Sequence, residues 1–162
     1  MCKLVSMLMA FLFVFLPFSI CCPEPVENAY LQVFQQRASA WNLKYVVLEL
    51  DVNLKDTAKL EEAIQAYCDE NDITLLPDDY KWLVEEGYIE RRETPGGMVD
   101  VYWNFEDGAF VTISGKKIGV NKLEIGVLMT PSVMTISGYV YEAKRVRSIW
   151  EITLKESWVE IV

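Results

Sequence analysis

The chain predicts an α+β domain: an apolar signal or anchor helix at the start, then about three helices, one strand lying between the first two, packed on a mostly antiparallel β-sheet of about five to six strands. Three observations carry that expectation. Apolar residues recur at helical spacing in three segments between Pro25 and Gly87. From Tyr88 onward the period changes to two. No low-complexity linker interrupts residues 23–162, so they are expected to form a single domain behind a leader at 1–22.

The leader comes first. Lys3 precedes the 17-residue apolar run Leu4 to Ile20, which has no polar face. Its length lies near the lower end of the roughly 17 to 25 residues that cross a bilayer. It also exceeds the roughly 7 to 15 of a usual signal-peptide core. Pro17 loosens the last turn, and the small residues Ser19 and Cys21 mark a cleavage site before Cys22. A cleaved signal peptide and a retained transmembrane helix both stay open. A bacterial lipoprotein box runs leucine, small, small, cysteine, and Ser19-Ile20-Cys21-Cys22 departs from it at the first two places. Cys21 and Cys22 are the candidates for lipidation or a disulfide. With Lys3 before the run and Glu24 and Glu27 after it, residues 23–162 are expected to be extracytoplasmic, either membrane-anchored or secreted.

The body follows in order. Pro25 opens a helix whose apolar stripe is Val26, Tyr30, Val33, Phe34, Ala38 and Trp41. Tyr45 to Asp51 alternates and is rich in β-branched residues, which predicts a strand. A second helix runs from about Leu54 to Glu70, with Asn53 or Asp56 as cap and Leu60, Ile64, Tyr67 and Cys68 buried. Pro77 opens a third, with Asp78 and Asp79 at the positive end of its dipole and Gly87 as its stop. Val99 to Phe105 then alternates, and Asp107-Gly108 predicts a hairpin turn into Phe110 to Ser114. Further strands are expected over 122–129, 133–141 and 148–155, with 158–162 ending the chain. Thr-Ile-Ser-Gly occurs at 112–115 and again at 135–138, too short a match for a repeat.

Charge narrows the function. The chain carries 24 acids and 15 bases, a net charge of −9. Residues 51–107 hold 16 acids against 5 bases, whereas 108–162 hold 5 against 7. An acidic helical half argues against nucleic-acid binding, which depends on neutralising phosphates. Histidine is absent, which removes the Ser-His-Asp and Cys-His nucleophile systems and the commonest zinc ligand. Asp69, Asn71 and Asp72 do not complete a calcium loop, which needs glycine at its sixth place and glutamate at its twelfth. No metal or cofactor site is therefore expected, nor any catalytic residue. Cys68 reads as a small buried apolar residue, with a Cys22–Cys68 disulfide as the alternative.

The order helix, strand, helix, helix, hairpin across residues 25–114 resembles a winged-helix domain, and Leu83-Val84-Glu85-Glu86-Gly87-Tyr88-Ile89 resembles the end of its recognition helix. That resemblance implies that Asp78 to Glu86 faces DNA. Four acids stand there against Lys81 alone, which repels phosphate.

Two surfaces remain as candidates. Placing Met134, Ile136 and Val140 in the core turns Thr135, Ser137, Tyr139 and Tyr141 outward. Tyr102 forms a comparable row and Trp158 joins it, a surface suited to a protein or glycan partner. The alternative is that the helices cover this face. Lys144, Arg145 and Arg147 crowd a hairpin tip able to meet anionic lipid or polymer phosphates, or simply water. The function expected from all this is an exported, membrane-tethered or secreted small binding or interaction domain, touching the membrane through residues 4–20. The alternatives are an acidic inhibitor or accessory partner of an envelope or secreted protein, and a hydrolase using the pairs Asp78/Asp79 and Glu85/Glu86.

Overall fold

A computed structural model describes residues 25–93, 99–103, 107–132 and 135–161. In chain order the elements are α1 (Glu27–Ala40), β1 (Tyr45–Val52), α2 (Ala58–Glu70), β2 (Thr74–Leu76), α3 (Tyr80–Glu85), β3 (Ile89–Glu93), β4 (Val99–Trp103), β5 (Gly108–Gly119), β6 (Lys122–Ser132), β7 (Thr135–Val146) and β8 (Ile149–Ile161). The fold is α+β. The expected signal or anchor helix, with Cys21 and Cys22, lies outside the described residues. Among those described, no helix is long and apolar enough to cross a membrane.

All the strands join one mixed sheet. β1 runs parallel to both β2 and β5, Tyr45 lying beside Thr74 on one side and Gly108 on the other. The link from β1 to β2 is the crossover helix α2, as parallel pairing requires. β5, β6, β7 and β8 form an antiparallel meander. The β3–β4 hairpin joins past the start of β5, through Tyr102 beside Ser132 of β6.

The pleat sends alternate residues to opposite faces, so the sheet has two cores. On one face α1 and α2 bury Tyr30, Val33, Phe34, Leu60, Ile64 and Cys68 against Val46, Val111, Ile113, Ile125, Val127 and Tyr141. On the other, α3 and the β3–β4 hairpin cover only one end. There Leu83, Leu76 and Ile89 pack on Val47, ringed by Trp82, Tyr88, Trp103 and Phe110. The rest of that face, including Glu49, Asp51, Glu124, Leu128 and Trp158, is open to water.

Three expectations are corrected. The molecule is not arranged as a winged helix, because β1 lies inside the sheet parallel to β5 and α3 packs on the face opposite α1 and α2. Asp107-Gly108 does not turn a hairpin between β4 and β5, which pair with other strands. Instead the Asp107 carbonyl accepts from the N–H groups of Lys44 and Tyr45, at 2.9 and 3.3 Å, and starts the β1–β5 ladder. Gly108 is glycine for another reason: a Cβ there would come within 2.6 Å of the Trp103 ring. The residues after Asn71, expected as a link, contain the short strand β2.

Candidate functional site

A hollow with a volume of about 600 Å³ lies at one end of the sheet. The start of α1 supplies Val26 and Tyr30, and the β1–α2 link supplies Leu54. The β5–β6 hairpin brings Lys116, Lys117 and Lys122, and the β7–β8 hairpin brings Arg145 and Trp150. These parts are far apart in sequence, so local tethers hold them together. The Trp150 indole N–H donates to the Pro25 carbonyl at 3.1 Å, fixing β8 to the start of α1. The Arg145 backbone N–H donates to the Asn121 carbonyl at 2.9 Å, tying one hairpin to the other.

Gly115 sets the floor. A Cβ on it would run into the Tyr30 ring, so only glycine lets the phenol lie against β5. Burial raises the Tyr30 pKa above its usual 10.0, which leaves the phenol a neutral hydrogen-bonding group at neutral pH. Lys117 lies opposite Leu123, whose side chain is buried beneath the helices, so Lys117 emerges on the helix side. Arg145 lies opposite Trp150 on that same side, its guanidinium 5.6 Å from the indole ring. Lys116 and Lys122 belong to the rim, and Lys122 Nζ is 3.4 Å from Glu142.

The charge balance is the telling feature. Among the described residues, four bases line this hollow and no acid does. Low-dielectric walls bearing one sign of charge focus the local potential and raise the concentration of the opposite ion. Tyr30, Trp150, Leu54 and Leu123 add apolar and aromatic wall. Such a lining suits an anionic group near Lys117 and Arg145, with an apolar or planar body against the wall. Among the described residues no cluster of carboxylates and thiols has the arrangement of a metal site.

The residues expected from the sequence do not form one surface. Tyr141 is 1% exposed, in the main core, and burial raises its pKa. Tyr139 is half-buried beneath α1, where its hydroxyl accepts from the Trp41 indole N–H at 2.9 Å and the Arg37 guanidinium sits 4.4 Å above its ring. The outward phase expected for Tyr139 and Tyr141 is therefore reversed. Two large rings with polar tips bury more area under α1 than Gly138 and Val140 would, and they win that face. Trp158 does lie on the open face, across Gly138, and is 43% exposed. Tyr102 pairs with Glu90 through the backbone, and its side chain lies outside the described set. The basic tip also divides: Lys144 and Arg147 are exposed, while Arg145 turns into the hollow. Cys68 is a free, buried thiol, and its suggested partner Cys22 lies outside the described residues.

Of the acid pairs, Asp79 caps α3 and Glu85 lies 3.5 Å from Lys81. Sequence reading missed Tyr30, Lys116, Lys117, Lys122 and Trp150. Gly115-Lys116-Lys117 carried the usable sign, two adjacent cations beside a glycine in an acidic chain, yet it reads equally as strand punctuation.

No protein-family model matches the chain, and no curated protein matches it. Among solved structures it is similar to an S-adenosylmethionine-dependent methyltransferase from Clostridium acetobutylicum, over 85% of this chain and 75% of that one, at 8% identity and a TM-score of 0.21. The expected function, an exported binding or interaction domain without a catalytic site, relied on a partner surface whose Tyr139 and Tyr141 instead pack beneath α1, and it is set aside with its inhibitor and hydrolase alternatives. A likeness at this TM-score carries no argument for a fold or an activity in their place.

Proposed function

We propose that this chain holds a small anionic ligand, carrying phosphate or carboxylate groups on a flat or apolar body, in the hollow between α1 and the two hairpins. One observation carries the reading: among the described residues four cations and no acid line a single cavity in a chain of net charge −9. Lys117 and Arg145 meet the anion, since both emerge on the helix side. Tyr30 and Trp150, 2% and 8% exposed, supply aromatic wall against which the edge of a planar or apolar group packs.

Amide NMR shifts on titration with ATP, pyrophosphate, citrate and uncharged adenosine test this. The anions are expected to saturate and to move Gly115, Lys116, Lys117 and Arg145, with adenosine far weaker than ATP. Lys117→Glu with Arg145→Glu weakens ATP binding by about a hundredfold, at roughly tenfold per reversed contact. Shifts absent, or spread equally over Lys144, Arg147 and Lys155, would overturn the reading.

A further inference from the structure

β8 is 13 residues long, and within the described sheet it pairs with β7 alone. No other described strand pairs with its second edge, and such an edge is a ready template for another strand. Of the nine large apolar residues exposed among the described residues, five lie on β8: Ile149, Leu154, Trp158, Val159 and Ile161. Val159 and Ile161 are 64% and 79% exposed. They project on the helix side but past the end of the cover that α1 gives Trp150.

A bulge decides what this edge fits. Val140 pairs with Glu156 and Tyr141 with Leu154, so Lys155 is the extra residue. The inserted residue shifts the pleat. Trp150, Ile152 and Leu154 before it share the helix side with Ser157, Val159 and Ile161 after it. Glu151, Thr153, Glu156, Trp158 and Glu160 share the other, where Lys155 lies 3.8 Å from Glu142.

We propose that β8 pairs antiparallel with β8 of a second copy of this chain, about a two-fold axis between Lys155 and Glu156. In that register Leu154 lies opposite Ser157 of the second copy, Ile152 opposite Val159, and Trp150 opposite Ile161, all on the helix side. The exposed Val159 and Ile161 then reach the part of the sheet that α1 of the other copy already covers. On the opposite face Lys155 meets Glu156 twice, and Thr153 meets Trp158. Glu151 falls opposite Glu160, an outer like-charge pair that opposes the contact. Neighbouring registers are worse, because a one-residue slip sets Lys155 against itself or Glu156 against itself. The bulge thus makes the edge self-complementary in one register, which favours a closed dimer over open-ended pairing.

Sedimentation velocity on the full chain, in a non-ionic detergent that masks the apolar residues 4–20, tests the proposal. The wild type is expected to be dimeric at about 10 μM. Lys155→Glu puts two acids together and Glu156→Lys two bases, so each variant alone dimerises at least about tenfold more weakly. Both positions are exposed, and circular dichroism checks that each variant folds. Mixed in equal amounts, the two variants restore both ion pairs and form a heterodimer. A wild type monomeric to about 100 μM, single variants as dimeric as the wild type, or a mixture that stays monomeric would each overturn the proposal.

Discussion

Cys68 is 0% exposed in the main core, and burial, helped by the charge of Asp69, pushes its thiol pKa from 9.0 to about 11. The folded chain therefore holds this proton more tightly than the unfolded chain. Stability from that source is complete below about pH 9 and is lost as pH rises toward about 11. Tyr30, Tyr67 and Tyr141 are raised in the same direction, so all four weaken the fold at high pH. Denaturant midpoints at about pH 8 and pH 10.5 should fall further for the wild type than for Cys68→Ala, by up to about 2 kcal/mol. An equal fall in both would show that Cys68 takes no part. Burial of Cys68 was legible, because its place on the α2 stripe is set by spacing. Strand phase was not. Thr-Ile-Ser-Gly appears twice, and the structure uses it in opposite phases. Ile113 is in the core with Ser114 half-exposed, whereas Ser137 is in the core and Ile136 half-exposed. Both glycines sit against a ring, Gly115 under Tyr30 and Gly138 under Trp158. Those rings arrive from distant parts of the chain, so no local pattern announces them.

At the scale of elements, helix stripes carry further than helix ends. The three helices were legible from apolar spacing, yet α2 starts at Ala58 rather than near Leu54, and α3 spans only Tyr80–Glu85. Residues before α2 are drawn to the hollow instead, where Leu54 forms wall. Neither α1 nor α2 has a side-chain cap, but α3 has one: Asp79 Oδ1 accepts from the Trp82 N–H at 3.1 Å. So short a helix gains little from its own propagation, and its cap is a large part of its local stability. Asp79→Ala should lower stability by about 1 kcal/mol, and Asp79→Asn by less, since asparagine also caps. Equilibrium denaturation of the two variants checks the order. That strands lie within β5 to β8 was legible by alternation, but not their full lengths, their phase or the single strand β8 over Ile149–Ile161. The parallel placement of β1 was not, because buried parallel and antiparallel strands share the same apolar run.

Across the whole molecule, the two cores differ in size and in the way they are tied down. The helix-side core draws on both helices and most strands, whereas the second is built around Leu83, Val47, Leu76 and Ile89. Among the described residues the smaller core includes only the N-terminal ends of β1 and β5, through Tyr45, Val47 and Phe110, and β4 meets β6 by the register pair Tyr102 and Ser132. Fewer buried contacts and fewer strand pairings make a unit that opens below the global unfolding free energy. Native-state hydrogen exchange should therefore show α3 and β3 exchanging well before β1, β5 and β6. Leu83→Ala removes the fully buried side chain at the middle of this unit, a change that costs about 2 to 5 kcal/mol when felt globally. In a two-core molecule that cost falls first on the opening of 80–93. Exchange there should accelerate by a factor of at least about ten while amides of Val111, Ile113, Ile125 and Val127 change far less. The hollow lies at the other end of the sheet and is lined by none of the second core, so ATP binding should persist in Leu83→Ala. If every amide accelerates together, the two faces unfold as one unit and the division is wrong. If ATP binding fails while the helix-side amides stay protected, the hollow depends on the smaller core through a coupling that its lining does not display.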